Sequence, residues 1–239
     1  EVPVAIVCNA VTVGVMMASP TDLEDFALGF ALTEGLIRSQ DEVREIEIVT
    51  HDHGTEARLW LGAAAQARAV ERQRAMVGPV GCGLCGIDSL DKVHRTLPPL
   101  PQDTLRLTLA EICGAPELLQ NLQPEHDRTR GCHAAGLLLP GNGIVLVRED
   151  VGRHNALDKL AGACLRGDTS RSGGAIVLTS RVSTEMVQKA VTMGASALVA
   201  VSTATDYALR LAEDAGLVLV TRVRGGGCEI LAGAGRLAD

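Results

Sequence analysis

The sequence predicts an α/β fold in two unequal parts, and three observations carry that prediction. From residue 133 onward, strand-like and helix-like runs follow one another: AAGLLL and GIVLVRED, then RHNALDKLAGACLR, GAIVLTS, STEMVQKAVTMG, ALVAVS, TDYALRLAEDAG and LVLVT. Strands alternating with helices of about ten or more residues imply a mostly parallel sheet covered on both faces. The composition agrees, because 46% of residues are hydrophobic but only 2% aromatic, so the core is built from Ala, Val, Leu and Ile. That suits buried parallel strands and disfavours an aromatic-centred sandwich. Finally, 239 residues are more than one typical domain needs, and domains usually run to about 100 to 200 residues. The expected division is a small N-terminal α+β unit over residues 1–78 and a larger α/β unit over residues 79–239.

Within the small unit, PTDLEDFALGFALTEGLIRS reads as a helix, with Thr21 and Glu24 as a capping box and Gly35 at its end. Leu23, Phe26, Ala27, Phe30 and Ala31 recur at helical spacing and form one apolar face. REIEIV and ARLWL alternate as half-buried strands, whereas AQARAVERQRAM fits either helix or strand. SLDKVHRTL then reads as a helix stopped by the prolines at 98, 99 and 101. TLAEICGAPELLQNL is a further helix, with Thr108 and Glu111 as its capping box. No repeat or low-complexity tract interrupts the chain, and RVRGGG is its one flexible-looking stretch near the end.

Charge and thiol content exclude several classes of function. A net charge of −7 disfavours a duplex nucleic-acid partner held by bulk positive charge. No apolar run approaches the roughly 18 residues that a membrane span requires, and the start EVPVAIVCNAV lacks the basic flank of a secretory signal. A cytoplasmic protein is therefore expected. Seven cysteines, an odd number without the dense spacing of a secreted disulfide scaffold, read as reduced thiols. Cys8, Cys113 and Cys164 stand in apolar surroundings as expected core residues.

Three corners of the larger unit carry polar residues that a packed core does not require. The first holds Asp150, Gly152, Arg153, His154 and Asn155; the second Ser180, Arg181 and Ser183; the third Thr221, Arg222 and Arg224 leading into glycines. Ligands of open parallel sheets bind outside the carboxyl ends of the strands, where helix N-termini offer free N–H groups. Arginine adds bidentate recognition of phosphate. Three such corners on one sheet edge suggest a phosphorylated or nucleotide-bearing ligand. Each alone also fits arginines paired with acids on a solvated rim, with Glu149 and Asp150 the obvious partners of Arg148 or Arg153.

The stretch VGPVGCGLCGIDSL places Cys82 and Cys85 three apart among glycines. Structural zinc needs four ligands, and the neighbours Cys132 and His133 rarely point at one ion, so no metal site is expected. A thioredoxin-like pair would follow a strand and open a helix, whereas Pro79, Gly81, Gly83 and Gly86 predict an exposed loop. A loop thiolate able to visit two partners suits carrying sulfur as a persulfide, or exchanging disulfides, better than fixed acid and base work. An incidental cysteine pair in a turn is the plain structural alternative.

CGLCG, GCHAAGLLL, EDVGRHNALDK and SRVSTEMVQKA, in that order and preceded by PTDLEDFALGFALTEGLI, resemble the formate dehydrogenase accessory sulfurtransferase family, FdhD, from about residue 2 to 235. The resemblance implies a larger unit of three layers, like cytidine deaminase, and a homodimer. It implies sulfur received from a cysteine desulfurase as a persulfide on Cys82, with Cys85 as partner, and passed to the bis-molybdopterin guanine dinucleotide cofactor for formate dehydrogenase. GDP or GMP would then act as mimics of that cofactor. Its contacts would fall on His133, on the three corners above, and on the stretch Thr221, Arg222, Val223, Arg224, Gly225 and Gly226. A chaperone that binds the molybdenum cofactor without transferring sulfur is the alternative. The chain departs from the family pattern at Thr184, at Cys132 and in its C-terminal strand CEILAGAG.

Overall fold

A computed structural model describes residues 1–75, 97–101, 105–169 and 173–238. Two sheets organise them, one of four strands and one of six. In the smaller sheet, β1 (Val2–Cys8) and β2 (Val11–Ala18) form a hairpin, and β3 (Val43–His51) pairs antiparallel with β4 (Gly54–Leu61), which lies parallel to β1. Asn9 and Ala10 both take positive φ, as a tight two-residue hairpin turn requires. The helix α1 (Leu23–Thr33) packs on this sheet through Phe26, Ala27 and Ala31, with Ala65 and Ala69 of α2 (Ala63–Ala75) in the same core. The segment that fitted either pattern is thus helical.

The ends of α1 show what local sequence controls. Gly35, at φ 76°, donates to Leu32 O and Leu36 donates to Ala31 O, the paired bonds of a Schellman stop. At the start, the expected Thr21–Glu24 capping box does not form. Asp22 is the N-cap in a left-handed conformation without a side-chain cap, and Glu24 is drawn to Arg166 instead.

The larger unit has three layers. Its sheet is built from β5 (His133–Leu139), β6 (Gly143–Asp150), β7 (Ala175–Leu178), β8 (Ala197–Ala200), β9 (Val218–Arg224) and β10 (Gly227–Ala232), in the order β10-β9-β8-β7-β5-β6. One face carries α5 (Arg153–Arg166), α6 (Thr184–Thr192) and α7 (Asp206–Ala215) over Leu137, Ile176, Leu198 and Leu219. The other carries α3 (Leu109–Gln120) over Ala134, Val177, Val199 and Val220. Both faces being covered explains the continuous Val, Leu and Ala runs. The capping box expected at Thr108 and Glu111 is present, with Thr108 N donating to Glu111 Oε2 at 2.8 Å.

The sheet is less parallel than the sequence pattern predicts. Only β7, β8 and β9 run parallel to one another, while β5, β6 and β10 pair antiparallel with their neighbours. Short turns cause this: β5 returns as β6 through Gly141 and Gly143, and β9 returns as β10 through Gly225 and Gly226, all at positive φ. Two-residue or similarly short connections join antiparallel strands only. The expected boundary between residues 78 and 79, and the expected helix SLDKVHRTL up to residue 96, lie outside the described residues. Among those described, no helix is long and apolar enough to cross a membrane.

The two sheets are joined by helix-on-helix packing of α1 against α5. A Cβ on Gly29 would fall 1.7 Å from Asp158 O, and one on Gly162 would fall 1.9 Å from Asp25 O. Only glycine permits two backbones to approach so closely.

Candidate functional site

The carboxyl ends of β7, β8 and β9 open onto a cleft of about 650 Å³, within the size range of small-molecule sites. Thr179 and Val201 directly follow β7 and β8, Val223 and Arg224 end β9, and His133 begins the antiparallel β5, so all four strands deliver residues to one edge. The far wall comes from α3 through Pro116, Glu117 and Gln120, and from the short α4 (Pro124–Thr129) with its flank through His126, Arg130 and Cys132.

His133 sits half-buried, with Nδ1 3.4 Å from Thr179 Oγ1. Burial lowers its proton affinity below the usual imidazole range, and the nearby positive groups of Arg153, His126 and His154 lower it further. His154 Nε2 lies 3.3 Å from Glu185 Oε2, which also accepts from Ser183 Oγ at 2.8 Å. Burial alone would raise the Glu185 carboxyl, but the bonds from His154 and Ser183 outweigh it and hold it below the usual carboxylate range. Arg153 Nε and Thr221 Oγ1 are buried without a hydrogen-bond partner among the described residues. Buried donors and hydroxyls are rarely left unmet, and an absent ligand is one of the few reasons.

The first corner divides in two. Asp150 is fully buried: Oδ1 accepts from Gly152 N and Asn155 Nδ2, and Oδ2 accepts from Ser19 N and pairs with Lys159 Nζ at 2.7 Å. Asn155 also donates to Met17 O, so both side chains point toward the small unit, and Gly152 is the N-cap of α5. Arg153 and His154 are charged neighbours of His133, although neither lines the cleft. The acids expected to pair with the corner's arginines do not. Arg148 pairs with Asp25, and Glu149 accepts from the N–H groups of Glu125 and His126, both at 2.8 Å.

In the second corner, Ser180 is buried and donates to Arg181 O at 3.0 Å, Arg181 is exposed, and Ser183 is the N-cap of α6 beside Glu185. In the third, Gly225 and Gly226 make a tight turn that holds Arg224 at the cleft. Arg222, at φ 52° beside a register shift, is exposed and pairs with Glu229 at 2.9 Å. The structure therefore brings His133, Val223, Arg224 and Gly225 together at the cleft, sets Arg153 and His154 within electrostatic reach of His133, and leaves Arg181 and Arg222 exposed. Cys82 and Cys85 lie outside the described residues.

Sequence reasoning missed His126 and Arg130. PEHDRT carried a signal for the helix that presents them: proline at its first position, acids in the first turn and basic residues in the last. His126 Nδ1 donates to Cys132 O at 2.9 Å, which leaves Nε2 for other partners. Among the described cysteines, Cys8 and Cys164 are buried as expected, but Cys113 is only half-buried. Burial pushes the Cys8 thiol up to about 12. Burial and a hydrogen bond with Cys113 push Cys228 to about 11. Such thiols are poor nucleophiles at neutral pH.

The FdhD/NarQ family model matches residues 1–238. The chain belongs to the FdhD/NarQ family. Two FdhD relatives are each named "Sulfur carrier protein FdhD". That of Agrobacterium fabrum is 44% identical over 237 residues, covering 99% of this chain and 88% of its own length. That of Cupriavidus necator is 46% identical over 237 residues, covering 99% and 82%. A solved structure from Desulfotalea psychrophila, assigned as a formate dehydrogenase accessory protein, superposes with a TM-score of 0.77 at 26% identity, covering 100% of this chain and 89% of that one.

Proposed function

We propose that this protein is a sulfur carrier that receives sulfur from a cysteine desulfurase and delivers it to the bis-molybdopterin guanine dinucleotide cofactor of formate dehydrogenase, acting in the cytoplasm as a homodimer. Cys82 thiolate attacks the terminal sulfur of the donor persulfide; the new S–S bond forms on Cys82 and the desulfurase thiolate leaves. When that terminal sulfur reaches the metal, Cys85 thiolate attacks Cys82 Sγ. The Cys82–S bond to the terminal sulfur breaks as the Cys82–Cys85 disulfide forms, the two cysteines giving up the two electrons that reduce that sulfur to sulfide on the metal, and a cellular dithiol then reduces the disulfide. The enzyme is thus a sulfurtransferase, and the molybdenum cofactor is its substrate.

One observation carries the cofactor half of this reading: His126, Arg130, His133 and Arg224 line the carboxyl-edge cleft, and Arg153, whose Nε is unmet, lies near enough to act on His133. An anionic guanine dinucleotide fits that donor set. His133, Arg153, His154 and Arg224 would bind and orient it, Thr221 would meet a polar group, and the Gly225–Gly226 turn would allow close backbone approach. Asp150, Gly152, Asn155, Ser180, Arg181, Ser183 and Arg222 would act through the elements that present these groups. GDP and GMP would occupy the same cleft. The three layers of the larger unit support reading it as cytidine-deaminase-like, and the high proton affinities of Cys8 and Cys228 support placing the sulfur on the loop thiols.

The test is to incubate the protein with a cysteine desulfurase and isotope-labelled cysteine, then map bound sulfur by peptide mass spectrometry. One reductant-labile sulfur on the peptide holding Cys82 and Cys85, lost in Cys82→Ala, is the expected result. An active donor that leaves this peptide unlabelled would sink the carrier assignment and favour a chaperone that only holds the cofactor.

A further inference from the structure

Two thiols meet where α3 covers the last hairpin of the larger sheet. Cys228 stands in β10 at a register shift between Gly227 and Glu229, across from the positive-φ residue Arg222. Such a bulge takes its residue out of the ladder and re-aims the side chain. Cys228 is turned onto the face that α3 covers, where it packs against a core that includes Ile112 and Ala115 of that helix and Val223 of β9. Cys113 lies between Ile112 and Ala115 in sequence and shares a hydrogen bond with Cys228. Both thiols are half-buried and unbridged. The pair sits beside the cleft without lining it. Pro116 and Glu117, about one helical turn after Cys113, line the wall that α3 supplies. Val223, Arg224 and Gly225 line the wall that the hairpin supplies, and Arg224 pairs with Gly227, next to Cys228.

We propose that Cys113 and Cys228 are a redox-modification site: a small-molecule disulfide oxidises them to a Cys113–Cys228 disulfide, which clamps α3 to the β9–β10 hairpin and fixes the two walls of the cleft against each other. The inference depends neither on the cofactor nor on the loop thiols. Cys113 thiolate attacks one sulfur of the reagent; a mixed disulfide forms and the first small thiolate leaves. Cys228 then gives up its proton and attacks Cys113 Sγ, and the second small thiolate leaves. The two cysteines lose two electrons, the reagent gains them, and both protons end on the released thiols. Cys228, held near 11 by burial and by its bond to Cys113, is the sulfur that reacts second. Bonded sulfurs stand about 2 Å apart, a short step from hydrogen-bond contact, and a bulged residue has no ladder bond to Cys228's own backbone neighbours to break in making it. Cys8 and Cys164 are buried away from any such reagent. Cys132, half-buried like the pair, instead has the hydroxyls of Ser19 and Thr129 beside its sulfur at 3.9 and 3.7 Å.

The experiment equilibrates the full chain in buffers of graded reduced and oxidised glutathione, blocks the remaining thiols with N-ethylmaleimide and maps the peptides by mass spectrometry. A linked pair of peptides holding Cys113 and Cys228, two hydrogens lighter than the free thiols and separated by reductant, is the expected product. The linked protein should melt about 5 °C or more above the reduced one, since the bond closes a long loop of the unfolded chain. Amide exchange in Leu109–Gln120 should slow on linkage. Cys228→Ser should abolish both changes and leave glutathione on Cys113, and Cys113→Ser should abolish both and leave Cys228 unmodified. The site is overturned if Cys113 and Cys228 stay alkylatable in the most oxidising buffer, or if they join Cys132 as often as each other. The clamp is overturned if the linked protein melts and exchanges like the reduced one.

Discussion

Where α1 crosses α5, every buried ion has a partner; near the carboxyl-edge cleft, Arg153 Nε and Thr221 Oγ1 have no hydrogen-bond partner among the described residues. At the crossing, Lys159 is fully buried with Nζ 2.7 Å from Asp150 Oδ2 and 3.0 Å from Ser19 O. Lys189 Nζ lies 2.7 Å from Asp158 and 3.2 Å from Glu34, and Asp25 sits between Arg148 and Arg166. Burial alone would discharge Lys189, but the Asp158 and Glu34 carboxylates outweigh it and keep it cationic. Near the cleft, Arg153, His126 and His154 surround His133 with positive charge. Asp25 Oδ1 at the crossing also lacks a hydrogen bond among the described residues but keeps its ion pair with Arg166. Matched charge fixes how the two units sit together; unmatched charge is the mark of a site awaiting a ligand.

The largest expected effect breaks the matched side. Lys159→Met leaves Asp150 buried and uncompensated, and removing one partner of a buried pair costs about 3–5 kcal/mol. Denaturant unfolding should show that loss, and a midpoint near the parent's would mean that the pair does not hold the units together. Gly162→Ala comes next. Its methyl group would meet Asp25 O at 1.9 Å, so the helices must part, at about 3 kcal/mol for an overpacked contact between backbones. Unchanged stability there would mean that the crossing yields easily.

Arg153→Gln sharpens the other side. A cation whose Nε has no partner contributes little to folding, so thermal unfolding should move by less than about 0.5 kcal/mol, while GDP binding falls. A large loss of stability would instead make Arg153 part of the scaffold.

The same division decides what the sequence reveals. Helix α5 is legible to the residue, Arg153–Arg166, because its apolar period and its bounding glycines are local signals. The Schellman stop at Gly35 and the capping box at Thr108 are local too. What failed depends on residues far apart in the chain. Arg148 chose Asp25 over its neighbours Glu149 and Asp150, and Glu24 left its capping role for Arg166. His126 matters only because Glu149, from a strand after it, caps the short helix beneath it. Of the three corners only the third lines the cleft, through Val223, Arg224 and Gly225, but the sheet edge that bears the cleft was legible, because the alternation of strands and helices dictates where strands end. Which corner residues face the cleft was not, since Asp150 and Asn155 are drawn inward by Ser19 and Met17 of the other unit.

His133 offers the smallest and most discriminating effect. Its proton affinity is depressed in the folded chain from the ordinary value of 6.5. The unfolded chain therefore binds the proton at higher pH than the native one does, and stability must rise with pH across that interval. The contribution is fully present above about 6.5, the unfolded value, and is lost as pH falls through the folded one. Melting curves between about pH 5 and 8 should slope less steeply for His133→Asn than for the parent. Saturating GDP should flatten the parent's slope as well, because a bound anion restores the proton affinity that burial and the neighbouring cations remove. If the parent and His133→Asn share one slope with and without GDP, the positive charge around His133 does not bear on it, and the contrast between matched charge at the crossing and unmatched charge at the sheet edge loses its electrostatic half.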